Sequence, residues 1–310
     1  MQNKQQEFSS IFKYALGFFL LCCLVLAGSI FFSLHNQLGP LTNSHPGYLL
    51  GAVLAQGFTC TIVIIAWQQN LALHDIKGIS LAESGALVGV NTVGKYAPGK
   101  VMGSVIRAIA VYKKTGQSQG AILASFQEQL AMLHSGLVIL ALLVTYRGFQ
   151  LPGTLLVAFA SICSLLLIRY LKPLIQKVST LVKRPIDFDQ DLNVPGETRR
   201  YAIVFSYLGV IWLSSAVTFY SCVLTFQEPM GFGFGDALVI TCLAYLGGFL
   251  ALFAPGGIGI RDGIIVAFLS PVTGLATAIS ISALHRLITI AFDMLLGLFS
   301  LLYNRRRVPR

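Results

Sequence analysis

Eight ionisable side chains stand inside apolar stretches of this 310-residue sequence: Lys95, Lys100, Arg107, Glu128, Arg261, Asp262, Arg286 and Asp293. Arginine forks onto phosphate oxygens, lysine offers them a point charge, and a carboxylate balances charge or carries a proton. On insertion scales each group costs roughly 2.5–3.5 kcal/mol at the centre of a membrane helix, about 20–28 kcal/mol for eight left unpaired. Folding does not normally supply that much. These groups must therefore pair, snorkel or face water.

Their spacing suggests roles. Lys100 and Arg107 are seven residues apart and share a helical face with Gly103 between them, a candidate phosphate stripe. The alternative is that Arg107 snorkels towards Lys113 and Lys114 at the interface. Glu128 and Arg286 are separated by 158 residues and are expected to pair, as a structural ion pair, a gate or a proton-coupled carboxylate. Arg261 and Asp262 are neighbours, point about 100° apart on a helix, and should have different partners. Asp293 lies seven beyond Arg286 and is placed to meet a basic group of another segment. His134 and His285 read as ordinary helix residues rather than metal ligands. The six cysteines lack C-x-x-C spacing and read as packing residues. There is no Gly-rich phosphate loop, no Ser-His-Asp order and no H-E-x-x-H, so neither a metal nor a cofactor is expected.

The elements that position these groups are set by composition. Hydrophobic residues make up 55% of the chain and charged residues 11%, with mean hydropathy +0.75. Soluble domains carry about a quarter charged residues. A soluble enzyme, a disordered chain and a disulfide scaffold are thereby excluded. The longest polar stretch, 172–200, is too short for a domain with its own core. Its Asp187, Asp189 and Asp191 read as a solvated linker rather than a metal-dependent transferase site. A net charge of +10 would suggest nucleic acid on a soluble chain; here it reads as positive-inside bias and attraction to anionic headgroups, with no nucleic-acid partner.

A spanning helix needs about 20 mostly apolar residues. Six segments qualify: Ile11–Leu34, Pro46–Trp67, Gly120–Tyr146, Leu151–Tyr170, Tyr201–Phe226 and Ala276–Tyr303. Two others are interrupted: Leu81–Tyr112 by Ala97-Pro98-Gly99, and Asp236–Leu269 by Ala254-Pro255-Gly256-Gly257. Proline removes a backbone donor and glycine is permissive, so each should split into two half-helices too short to cross.

The chain also repeats. Tyr96-Ala97-Pro98-Gly99 returns as Phe253-Ala254-Pro255-Gly256 after 157 residues, and Thr115-Gly116 as Thr273-Gly274 after 158. Each half reads span, span, broken stretch, span, and such internal duplication marks transporter folds. If each broken stretch returns to its own side, the lysines and arginines outside the membrane fall on one face, with only Arg147 opposite. A single crossing per broken stretch would send the basic run 169–200 to the other face, which the positive-inside rule rejects.

The expected fold is therefore an all-α integral membrane protein, one polytopic domain over 1–310. It has two inverted-topology repeats, 11–146 and 151–303, each with three spanning helices and a broken re-entrant helical hairpin. The stretch 172–200 is the cytoplasmic basic linker, and both termini are cytoplasmic. The hairpin tips should meet near the midplane and aim two helix starts, rich in free N–H groups, at one polar cavity. The alternative is that the breaks are packing kinks, with Gly85/Gly89, Gly99/Gly103 and Gly259/Gly263 letting helices approach closely. The expected substrate-binding residues are Lys95, Pro98, Gly99, Lys100, Arg107, Pro255, Gly256, Gly257 and Arg261. The expected charge-coupling or gate residues are Glu128, Asp262, Arg286 and Asp293.

The run Gly94-Lys95-Tyr96-Ala97-Pro98-Gly99-Lys100, then Arg107, Thr115-Gly116 and Glu128, resembles the first motif of the lysylphosphatidylglycerol synthase transmembrane family. Ala254-Pro255-Gly256-Gly257-Ile258-Gly259-Ile260-Arg261-Asp262-Gly263, then Arg286, resembles its second motif, where the family usually shows P-G-G-x-G-x-R-E. The resemblance covers nearly the whole chain, with Asp262 in place of the usual Glu and without the soluble aminoacyl-transferase domain of the synthase. It implies a flippase-like protein of the cell (inner) membrane, not an enzyme. Its expected cargo is an anionic phospholipid or a polyprenyl-phosphate-linked glycan headgroup, moved between leaflets, with envelope-synthesis proteins as further partners. The rivals are an integral-membrane transferase of envelope lipid or polysaccharide biosynthesis and a non-transporting component of such a complex.

Overall fold

The computed structural model describes residues 45–96, 102–146, 197–226, 231–251 and 254–305, with single positions between 155 and 177. Ile11–Leu34, Pro98, Gly99, Lys100, Asp187, Asp189 and Asp191 lie outside the described residues, as does most of Leu151–Tyr170. The described chain is all helical, without a strand. Its helices are α1 (Pro46–Leu73), α2 (Leu81–Gly94), α3 (Met102–Thr115), α4 (Ser118–Tyr146), α5 (Glu197–Phe226), α6 (Phe234–Leu250), α7 (Ile260–Thr273) and α8 (Leu275–Arg305), with a 3-10 turn at Pro255–Gly257.

Local chemistry sets most of these ends. Proline opens α1, where its missing N–H is no loss. The Ser80 hydroxyl accepts from Glu83 N at the start of α2, and the Asp236 carboxylate accepts from Gly233 N at the start of α6. The repeated Thr-Gly pair does one job twice. Thr115 Oγ1 donates to Val111 O at 2.9 Å and Thr273 Oγ1 to Leu269 O at 3.0 Å. Gly116 and Gly274, at φ 76° and 83°, then turn the chain out of α3 and α7 in the left-handed region that favours glycine.

Four long helices, α1, α4, α5 and α8, are apolar enough to cross a bilayer. Large apolar side chains on their surfaces, such as Leu50, Leu54, Leu142 and Leu295, lie open as a bilayer solvent requires. Helix α1 runs six residues past the expected end at Trp67, because its polar tail finds carbonyls: Asn70 Nδ2 donates to Ala124 O at 2.7 Å and Gln68 Nε2 to Ile79 O at 3.4 Å. Both interrupted stretches do split, into α2 and α3 and into α6 and α7. Helices α2, α3 and α7 have 14 residues each, and that length extends about 21 Å, less than the roughly 30 Å hydrocarbon core. The stretch Pro255–Thr273 is long and apolar enough to count as a span, yet Gly256 at φ 59° breaks its helical geometry.

Two contacts organise the assembly. Helix α1 packs along α5, where Thr59 Oγ1 donates to Ser214 Oγ at 2.8 Å in a buried position. Helix α2 packs on α8, where Gly85 faces the Phe299 ring and Gly89 presses on the Leu296 carbonyl. The first of the small-residue pairs is thus a packing device. Gly259 and Gly263 are different: an added Cβ at either would meet nothing within 4 Å.

Candidate functional site at the junction of the two breaks

The two interruptions touch. Tyr96 ends the described part of the first, and Gly256 is the middle of the 3-10 turn in the second. Gly256 N donates to Lys95 O at 2.9 Å. Gly256 has φ 59°, and a Cβ there would sit 2.5 Å from Tyr96 Cε1. Only glycine meets both conditions. Gly257, at φ 72°, brings the same turn against the backbone of Gly248 in α6.

Charged groups hold this junction. Asp293 of α8 takes two bonds on one oxygen: Lys95 Nζ lies 2.7 Å from Oδ2, and Tyr96 Oη donates to it at 2.6 Å. Two turns back on α8, Arg286 Nη2 donates to Gly256 O at 3.0 Å. The shared face of Arg286 and Asp293 thus grips both breaks at once, and Asp293 meets a basic group of the first. The Lys95 side chain is 41% exposed against 11% for Asp293, so the lysine end of the pair lies open at the protein surface.

Arg261 starts α7 and turns inward. Its Cζ lies 3.6 Å above the Tyr245 ring of α6, a cation–π contact, and its Nη2 is 3.5 Å from His285 Nε2. Asp262 points elsewhere, its Oδ2 accepting from Gly259 N at 3.1 Å, so it caps its own helix. His285 also packs edge-on to Phe219, and His134 to Phe205. No group of side chains fit to hold a metal occurs among the described residues.

The expected Glu128–Arg286 pair does not form. Glu128 Oε2 instead lies 2.5 Å from Arg107 Nη2. The reason is packing: α3 and α4 are neighbours, and Arg107 reaches Glu128 before any residue of α8 does. Arg107 does not snorkel. It is 1% exposed, stacks 3.6 Å over the Trp67 ring and donates to Ser125 O at 3.2 Å. Its charge and its Nη2 are therefore met from within the protein, although its Nε has no partner. Sequence spacing did not point to Tyr96, Trp67 or Tyr245. The one available signal was the adjacency of Tyr96 to Lys95 in the repeated motif. Lys114, counted as an interfacial charge, pairs with Glu83 of α2.

The arrangement can present positive charge to an anion where two helix breaks meet. Lys95 supplies a partly exposed ammonium, and Arg261 and Arg286 supply buried guanidiniums. Residues 10–297 match the protein family described as the lysylphosphatidylglycerol synthase TM region. A search of curated proteins found no match.

Proposed function

The chain belongs to the lysylphosphatidylglycerol synthase transmembrane family, and on that premise we propose that it is a flippase-like transporter. Its cargo is an anionic lipid or a polyprenyl-phosphate-linked headgroup, carried between leaflets while the acyl chains stay in lipid. The protein lies in the cell membrane with both termini cytoplasmic, as the distribution of lysine and arginine favours. Two inverted repeats, each with a re-entrant hairpin, provide the path.

The observation that carries this reading is the bond from Gly256 N to Lys95 O, ringed by Lys95, Asp293 and Arg286. Non-helical backbone at membrane depth is tolerated when it is buried in protein or lines a wet cavity. A junction made only for packing has no need of costly charge. The repeat supports the reading too: α3 and α7 end in the same Thr-Gly turn 158 residues apart. In transport, the Lys95–Asp293 pair separates so that the junction opens, and the headgroup phosphate takes over the lysine.

The test uses purified protein in liposomes and a fluorescent phosphatidylglycerol whose leaflet is read by quenching from outside. Wild type should equilibrate the leaflets faster than protein-free vesicles, and Lys95→Ala and Arg261→Ala should slow it. Equal transfer by wild type and both variants would discard the site; no transfer by wild type would discard the transport reading.

A further inference from the structure

The two halves treat their buried cations differently. In the first half Arg107 of α3 faces a carboxylate of α4, Glu128, at 2.5 Å. In the second half α7 carries Arg261, and the position 158 residues after Glu128 holds Arg286. The second half thus has an arginine where the first has the carboxylate, while the position equivalent to Arg107 is Ile265 and its other buried cation, Arg261, stands elsewhere on α7. Arg261 is 7% exposed and Arg286 3%.

Neither guanidinium has a carboxylate within ion-pair distance among the described residues. Five acidic side chains of the described helices are committed elsewhere. Glu83 holds Lys114, Glu128 holds Arg107, and Asp293 holds Lys95. Asp236 accepts from Gly233 N and Asp262 from Gly259 N. The Nε atoms of Arg261 and Arg286 have no hydrogen-bond partner, but neither does that of Arg107, so the missing carboxylate and not the orphaned Nε sets the second half apart. Buried hydroxyls without partners occur in both halves, Ser84 and Ser125 in one and Thr241 and Ser282 in the other. Uncompensated charge is therefore what distinguishes the second half.

A buried cation without a counter-ion is strongly unfavourable, and truncating one member of a buried pair is costly for the same reason. The second half thus lacks an anion that the first half carries as Glu128. Geometry says what kind fits. Arg261 lies flat on Tyr245 and reaches His285; Arg286 follows His285 in the chain and is anchored by one nitrogen to Gly256 O. Both forks are held in place, with His285 in contact with one and next to the other in the chain. Planar guanidiniums with spare N–H groups match the oxygens of phosphate.

We propose that Arg261 and Arg286 together bind a phosphate group as their missing counter-ion, and that Arg107, already neutralised by Glu128, does not. This deepens the transport reading and rests on it: the phosphate of the cargo docks on the second half, beside the turn at Gly256. A lipid headgroup and free phosphate or pyrophosphate share this chemistry.

The test uses the full chain in detergent micelles. Unfolding is followed by the fluorescence of its two tryptophans, Trp67 and Trp212, both buried. Short-chain phosphatidylglycerol, inorganic phosphate and pyrophosphate are titrated separately, with short-chain phosphatidylcholine as the zwitterionic control. A saturable rise in melting temperature is expected with an anionic probe. Saturation by phosphatidylglycerol alone assigns the lipid headgroup; equal affinity for inorganic phosphate assigns the free ion. Arg261→Gln and Arg286→Gln keep hydrogen-bond donors but lose charge, and each should weaken binding by about tenfold or more. Arg107→Gln should bind within about twofold of wild type. Without ligand the order reverses: Arg107→Gln should melt well below wild type, and Arg261→Gln no lower than wild type. Unchanged affinity in both Arg261→Gln and Arg286→Gln, an equal loss in Arg107→Gln, or no saturable response in wild type would overturn the assignment. Saturable binding without lipid transfer in liposomes would instead overturn the transport reading and leave the site standing.

Discussion

Replacing Gly256 by alanine tests the contact between the two breaks. The cost has two separable parts. At φ 59° an L side chain is strained, which costs roughly 1–2 kcal/mol. The new Cβ would also sit 2.5 Å from Tyr96 Cε1 and 2.7 Å from Cδ1. Those are ring atoms, so the whole ring must move. Movement breaks the 2.6 Å bond from Tyr96 Oη to Asp293 Oδ2, and a hydrogen bond to a charged group contributes about 1.5–3 kcal/mol. The total expected is about 3–5 kcal/mol. Gly259→Ala supplies the control, since Gly259 has φ 83° but nothing within 4 Å of an added Cβ. It should lose only the backbone part, about 1–2 kcal/mol. Denaturant unfolding of the purified protein, read by Trp67 and Trp212 fluorescence, measures both. Adding Tyr96→Ala to Gly256→Ala makes room for the Cβ, so the pair should cost less than the sum of the two single changes. If Gly256→Ala and Gly259→Ala unfold alike, or if the double change is additive, the two breaks do not bear on each other and the junction is misread.

Glu128→Gln should destabilise the fold by about 3–5 kcal/mol, because it removes the negative charge that compensates the buried Arg107. The double change Glu128→Leu with Arg107→Leu should recover most of that loss, as denaturant unfolding would measure. A pH effect is expected at His74, just beyond the last turn of α1, where burial lowers the imidazole from 6.5 to about 4. The unfolded chain takes up a proton that the folded one refuses, so stability falls as pH drops from about 6.5 to about 4 and is unaffected above that window. Melting temperatures of wild type and His74→Gln should therefore diverge between pH 6.5 and pH 5, with the variant flatter; parallel curves would exclude His74 as the source.

How much of this was legible beforehand divides by the range of the forces. Sequence alone determined the membrane class, the spans now seen as α1, α4, α5 and α8, and the splitting of both interrupted stretches. It also showed the repeated Thr-Gly pairs, although the helix ends were expected at Tyr112 and Leu269 and lie at Thr115 and Thr273. These depend on apolar run length, on missing N–H groups and on glycine's tolerance of positive φ, all properties of a residue and its near neighbours in the chain. It located the charged residues as well, because charge inside an apolar run is visible in one dimension. Tertiary structure decided which cation meets which anion. Glu128 and Arg286 share the repeat offset but have separate partners, because α3 lies beside α4 and the turn at Gly256 lies beside α8. Trp67 under Arg107 and Tyr245 under Arg261 were invisible for the same reason. An ion pair or a ring stack forms over a few ångströms, and only the docking and rotation of whole helices brings residues that far apart in the chain within such reach.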